Sequence, residues 1–290
     1  MASMIRTLKT LILENADKGL HNKLKVMSDN QLFTPEHATE IRKRTQFTTS
    51  LEEATSNAIF IIEVVPESLV LKKALYERLE ALVEDDVVMA SNTSGFKPSL
   101  LAADMRRPER FVVTHFWNPA DLMPLVEVVK GEHTDEDTVQ RTMDVLTLMN
   151  KKAIVLNQEV PGFIGNRLQY ALFREAQALL DAGAASKEDI GAAVTYSIGR
   201  RLPVTGPLMS ADMGGLDIFS DIYNYLFEDL STYQRSGEVL SQLVSEKKLG
   251  DKTGESFYAW ESDVSEKINE ERERTLIYFL KNDLKTGALK

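Results

Sequence analysis

The 290-residue chain contains no cysteine, which removes disulfides, thiolate nucleophiles and thiolate metal sites at once. Histidine is scarce as well. Its four copies, His21, His37, His115 and His133, show neither HxH nor HxxxH spacing, so no metal site is expected. No run approaches the roughly 18 apolar residues that a membrane span needs. The amino-terminal MASMIRTLKTL also lacks the apolar stretch of a signal peptide, so no membrane association is expected and the cytoplasm is the default location. Basic charge is in deficit: 34 Lys and Arg against 44 Asp and Glu leave a net charge of −10. With no surplus to neutralise phosphates, nucleic acid is not an expected partner. The doublets Lys72–Lys73, Arg106–Arg107, Lys151–Lys152 and Arg200–Arg201 read as solvated edges.

What is present suits a globular protein of one large or two medium domains, with 43% hydrophobic and 27% charged residues. Through the first half, strand-like and helix-like segments alternate. AIFIIEVV (Ala58–Val65), VVMA, FVVT, LVEVVK and AIVL (Ala153–Leu156) are β-rich runs, the first ended by Pro66. Between them lie helical patterns at Ser68–Val83, at KPSLLAADM and at Asp135–Asn150. A helix opens the chain, with a break expected near Gly19, and FTPEHATEIRKR begins another with Thr34 as N-cap and Pro35 at its first position. From Pro161 strand patterns vanish and helical periodicity takes over, including a capping-box-like start at Ser186 and Asp189. The expected architecture is α/β, a Rossmann-like parallel-sheet domain over residues 1–158 followed by an all-α domain over residues 159–290.

The chemistry concentrates in SNTSGFKPSLLAADMRRPERFVVTHFWNPADLMPLVEVV (Ser91–Val129). Polar residues directly after buried parallel strands sit at the carboxyl edge of a sheet, where open α/β folds place ligands. His115 and Glu127 are the right kinds of group for a base and its orienting carboxylate. A second scarcity bears on the cofactor. A dinucleotide fold begins with a strand, a GxGxxG turn and a helix, and no such fingerprint occurs; the first glycine, Gly19, lies in helical text. The first β-α-β unit of that fold is therefore expected to be lacking.

Five segments in order, SNTS, HFWNPADLMPLVEVV, PGFIGNRL, GPL…GGLD and KLGDKTGESFY, resemble the 3-hydroxyacyl-CoA dehydrogenase family from about Thr45 to Trp260. The resemblance implies an amino-terminal NAD domain and a helical domain that closes over substrate and forms a homodimer. It implies His115 as catalytic base, Glu127 as its carboxylate, and Ser94 and Asn166 as donors to the substrate oxygen. Glu67, Lys72, Asn92 and Asn118 match positions on the cofactor side. NRLQYAL and KKAIVLNQEVPGF look like the gulonate dehydrogenase (lambda-crystallin) branch, whereas HFWNP and KTGESFY look like the acyl-CoA branch. The implied function is NAD-dependent oxidation or reduction at the 3-position of an acyl-CoA or a related 3-hydroxy acid. Two other readings stand beside it: a catalytically silent dimerising or ligand-binding paralogue, and an enzyme whose cofactor site another chain completes. Without the glycine turn, the 290 residues are expected to hold NAD weakly or not at all.

Overall fold

The computed structural model describes residues 2–289, with side chains from residue 11 onward. The chain divides into two compact units, Met1–Ile164 with Glu271–Lys290, and Gly165–Glu270. The first unit opens with α1 (Ala2–Asp29), α2 (Pro35–Arg44) and α3 (Leu51–Thr55). The Thr34 hydroxyl caps α2 by accepting His37 N–H at 3.2 Å, and Pro35 occupies the first helical position, as expected. α1 runs without interruption through Gly19 rather than breaking there. A glycine costs a helix only about 1 kcal/mol, too little to interrupt one that packs Val26 against Leu122, Ile277 and Leu280.

A mixed sheet follows, built from β1 (Phe60–Glu63), β2 (Val88–Ser91), β3 (Phe111–Phe116), β4 (Leu125–Lys130) and β5 (Lys152–Leu156) in the order β1-β2-β3-β4-β5. α4 (Leu69–Glu80) crosses from β1 to β2, α5 (Pro98–Ala102) from β2 to β3, and α6 (Glu136–Leu148) from β4 to β5. Those three crossovers join parallel strands and β3 and β4 are antiparallel, so the sheet is mostly parallel, in keeping with the Rossmann-like domain expected. The short loop after Phe116 explains the antiparallel pair, because a parallel crossover needs a dozen or more residues. Each crossover helix starts on a side-chain cap or a proline: Ser68 accepts Leu71 N–H, Asp135 accepts Thr138 N–H, and Pro98 opens α5.

Both faces of the sheet are covered. Met89, Phe111, Val113, Val129 and Leu156 pack against Tyr76 and Leu79 of α4 and Leu101 of α5. On the opposite face Val88, Ala90, Val112, Val126 and Val128 meet Leu146 of α6. β1 and β5 are the outer strands among the described residues, and Ile59 and Val64 flanking β1 are 74% and 70% exposed.

The second unit is helical: α7 (Gly165–Asp181), α8 (Lys187–Ala193), a π-helical turn (Val194–Ile198), α9 (Gly199–Arg201), α10 (Pro207–Gly214), α11 (Leu216–Leu226) and α12 (Glu238–Ser245). The Ser186 hydroxyl accepts Asp189 N–H at 3.0 Å and donates to the Asp189 carboxylate, capping the start of α8 where a cap was expected. The last helix, α13 (Ser262–Thr286), belongs to the first unit from Glu271 onward. Among the described residues no helix is long and apolar enough to cross a membrane.

Candidate active site

The antiparallel pairing of β3 and β4 creates the central feature. His115 and Glu127 are directly opposite each other in the ladder, so their side chains emerge side by side on one face. His115 Nδ1 meets Glu127 Oε2 at 2.8 Å, with His115 5% exposed and Glu127 fully buried. A carboxylate has no proton to give, so Nδ1 carries the hydrogen and Nε2 is the basic nitrogen of the neutral ring. His115 sits near the carboxyl end of β3, on the edge where β1 and β2 also end.

Two residues that sequence reasoning passed over complete the surroundings. Trp117 Nε1–H donates to Glu127 Oε2 at 3.3 Å, and its ring centroid lies 5.4 Å from that of His115. The Phe163 ring is also close, 5.5 Å between centroids, and Phe163 is 1% exposed. Its φ of +55°, next to Gly162 at +75°, is uncommon for a side chain of its size. That left-handed pair turns the chain so that the next residue, Ile164, donates its N–H to Glu127 Oε1 at 2.8 Å. Outliers of this kind gather where a structure holds a site in place. The Pro161-Gly162 pair was the available signal, since such a dipeptide marks a turn.

The turn after β2 is secured from three directions. Asn92 Oδ1 accepts Phe116 N–H at 2.8 Å, which ties the turn to the end of β3 beside His115. The buried Thr93 hydroxyl accepts Phe96 N–H at 3.1 Å and donates to Glu67, while Ser94 is exposed at the tip. Glu67 in turn lies 3.5 Å from Lys72.

Beneath this turn is a buried ion pair. Lys72, 1% exposed, donates to both oxygens of Glu63 at 2.8 and 3.0 Å and to Val65 carbonyl at 3.2 Å. Tyr76 and Ser91 hydroxyls each donate to Glu63 Oε2 at 2.7 Å. Burial alone would raise the Glu63 carboxyl, but these donors and the Lys72 charge outweigh it and hold it below the usual carboxylate range. Burial and the neighbouring Glu63 push the Tyr76 phenol upward.

Of the eight residues singled out from sequence, His115 and Glu127 meet directly, Asn92 is tied to Phe116 beside them, and Glu67 joins the turn after β2 through Thr93, with Ser94 exposed on that turn. Lys72 lies beneath, its ammonium engaged by Glu63 and Val65. Asn118 is exposed at the start of the loop to β4, ahead of a cis peptide to Pro119. Asn166 opens α7, two positions along the chain from Ile164. No cluster of three or more acidic or histidine side chains suited to a metal exists among the described residues.

Comparison with known proteins assigns the family. The model of the 3-hydroxyacyl-CoA dehydrogenase NAD binding domain matches residues 4–160, and that of the same family's C-terminal domain matches residues 162–260. The chain belongs to the 3-hydroxyacyl-CoA dehydrogenase family. It is a dehydrogenase-like oxidoreductase of the NAD-dependent kind. A mitochondrial hydroxyacyl-coenzyme A dehydrogenase of Rattus norvegicus is 33% identical over 258 residues, 86% of this chain and 80% of the relative. A 5-formyl-3-hydroxy-2-methylpyridine 4-carboxylate 5-dehydrogenase of Mesorhizobium japonicum is 34% identical over 232 residues, 80% of this chain and 75% of its own. L-Carnitine dehydrogenase of Pseudomonas aeruginosa is 39% identical over 174 residues, of which the match spans only 54% of the relative's length. Among solved structures, an enzyme named for the same pyridine substrate superposes with a TM-score of 0.78 at 34% identity, covering 80% of this chain and 75% of that one. The 3-hydroxybutyryl-CoA dehydrogenase of Escherichia coli gives a TM-score of 0.69 at 29% identity, covering 86% and 52%.

Proposed function

We propose that this protein interconverts a hydroxyl and a keto group on the 3-carbon of an acyl-CoA or a related 3-hydroxy acid, with His115 as base and acid. The observation that carries the reading is the buried contact of 2.8 Å between His115 Nδ1 and Glu127 Oε2 at the ligand-binding edge of the sheet. With Nδ1 held by the carboxylate, Nε2 takes the hydroxyl proton in oxidation and returns it in reduction. Glu127 stabilises the imidazolium that forms and keeps its ring orientation. Ser94 is assigned to donation toward the substrate oxygen, and Asn166 to the same role on the strength of its GFIGNR motif alone.

NAD supplies the hydride acceptor for this chemistry. The polar groups at the ends of β1 and β2, Glu67 and Asn92, suit the amide and hydroxyl groups at the nicotinamide end of such a cofactor, with Asn118 on the adjoining loop. Lys72 is assigned to holding Glu67 in place through the ion pair beneath it. No strand–glycine turn–helix unit of the kind that holds a pyrophosphate occurs among the described residues.

The second unit we propose to pair with a second copy of this chain. α7, α11 and α12 carry apolar stripes, α10 is apolar without one, and none of the four buries a side chain, so a two-fold interface is the economical way to cover them. Acetoacetyl-CoA, 3-hydroxybutyryl-CoA, gulonate and carnitine, offered with NADH or NAD as each requires, test the substrate class. His115→Ala is expected to lower turnover about 10²- to 10⁴-fold with the fold intact. Glu127→Gln is expected to keep substrate binding and lose turnover. Parent-like turnover in His115→Ala would remove the base assignment.

A further inference from the structure

Trp117 stands two residues beyond His115, where β3 passes into the loop toward β4. Its indole N–H reaches the same oxygen, Glu127 Oε2, that meets the imidazole. Oε1 of that carboxylate is occupied by Ile164 N–H. Three donors, two from the end of β3 and the loop that follows it and one from the turn before α7, therefore converge on one buried carboxylate. The torsion that rotates a glutamate carboxylate is soft and broadly populated, so without such anchors its oxygens would wander relative to the imidazole. A carboxylate whose charge is divided among several donors also stabilises a neighbouring cation less than one given to that cation alone.

We propose that Trp117 is a positioning residue for the His115–Glu127 pair: its N–H fixes the carboxylate and draws part of its charge away from the imidazole. The inference rests on the reading of His115 as base. The charged group in contact with His115 is Glu127, from β4; the rings of Trp117 and Phe163 lie 5.4 and 5.5 Å from its own, and the neutral Asn92 holds the backbone of Phe116 beside it. Removing the indole N–H should return charge to the imidazole and make it hold its proton more tightly, while loosening its orientation.

The test uses Trp117→Phe in the full chain, which keeps an aromatic ring and removes the donor. The His115 titration midpoint, followed by NMR, should rise by about half a pH unit, a change well within what one altered hydrogen bond produces. Turnover should fall about 3- to 10-fold with KM nearly unchanged, as expected for one hydrogen bond that acts through the base. In the unsubstituted chain, which has two tryptophans, Trp260→Phe assigns the indole signals. The Trp117 N–H signal should then exchange slowly with solvent and shift as His115 titrates. A Trp117 signal indifferent to that titration, or a Trp117→Phe protein with an unmoved midpoint and only a lower melting temperature, overturns the proposal and makes Trp117 a packing residue. These NMR readings need no bound cofactor. A His115→Ala enzyme that still turns over would sink the base reading while leaving the indole–carboxylate coupling standing.

Discussion

The two units of this chain solve the burial problem in different ways. In the first, Val88, Val112, Val113, Val126 and Val128 are 0% exposed, sealed between α4 and α5 on one side of the sheet and α6 on the other. In the second, helices α7 to α12 contain no buried residue, and Val204, Leu208 and Met213 are 83%, 82% and 75% exposed. Apolar stripes occur on helices of both units, on α6 in the first and on α7, α11 and α12 in the second, so periodicity by itself does not tell them apart. What differs is the partner surface. A sheet offers each helix a ready apolar floor within its own unit, whereas the helices of the second unit leave their apolar surface in water, the surface we propose to pair with a second copy.

That contrast can be broken most sharply inside the first unit. Glu63→Gln leaves the buried Lys72 ammonium without its counter-charge, and breaking a buried pair in this way costs about 3–5 kcal/mol. Urea unfolding should register it as a lower midpoint. The parent's advantage should also depend on pH. Because the Glu63 carboxyl is held below its ordinary range, the stability it contributes is complete above that range and is lost as pH falls through the lowered value. The gap between parent and Glu63→Gln should thus be widest near neutrality and close in acid; a gap independent of pH would mean that the ion pair is not what Glu63 contributes.

The second unit should answer to assembly instead. Leu208 is the second residue of α10, where an aspartate is favourable to the helix amino end, so Leu208→Asp spares the helix itself. Placed at the centre of an apolar interface it should cost about 2 kcal/mol or more of association. Light scattering should then fall from twice the chain mass toward the single-chain 32.6 kDa. Melting of the parent should rise with protein concentration, and melting of the variant much less. An unchanged scattering mass would take this face out of the interface.

The smallest effect separates local capping from both. Asp181 accepts the N–H groups of Glu238 and Val239 at 3.1 and 3.2 Å, capping α12, and a Cβ at Gly237 would run into that carboxylate. Gly237→Ala should cost about 1 kcal/mol, the worth of one cap, in thermal unfolding. The scattering mass should stay where it was, which a loss of the interface would not allow.

Much of the fold was legible because its signals are local. The strand runs, the caps at Thr34 and Ser186, the change of texture after Pro161, and the candidate pair His115 and Glu127 all follow from residue type and spacing. Glu127 shows where that legibility stops. A charged residue between valines reads as a solvent-facing strand position, yet it is 0% exposed, because both sheet faces are covered and the burial is offset by His115, Trp117 and Ile164.

By itself, then, the sequence determined which segments become strands and helices and which side chains have the chemistry for proton transfer, since these depend on neighbours within a turn or two. Tertiary structure alone decided the antiparallel register that sets His115 opposite Glu127, the third donor from Trp117, the left-handed turn that brings Phe163 and Ile164 to the site, and the burial of Glu63 with Lys72. Strand direction and register are settled by hydrogen bonds between segments far apart in the chain, and a one-residue slip would turn every side chain to the other face.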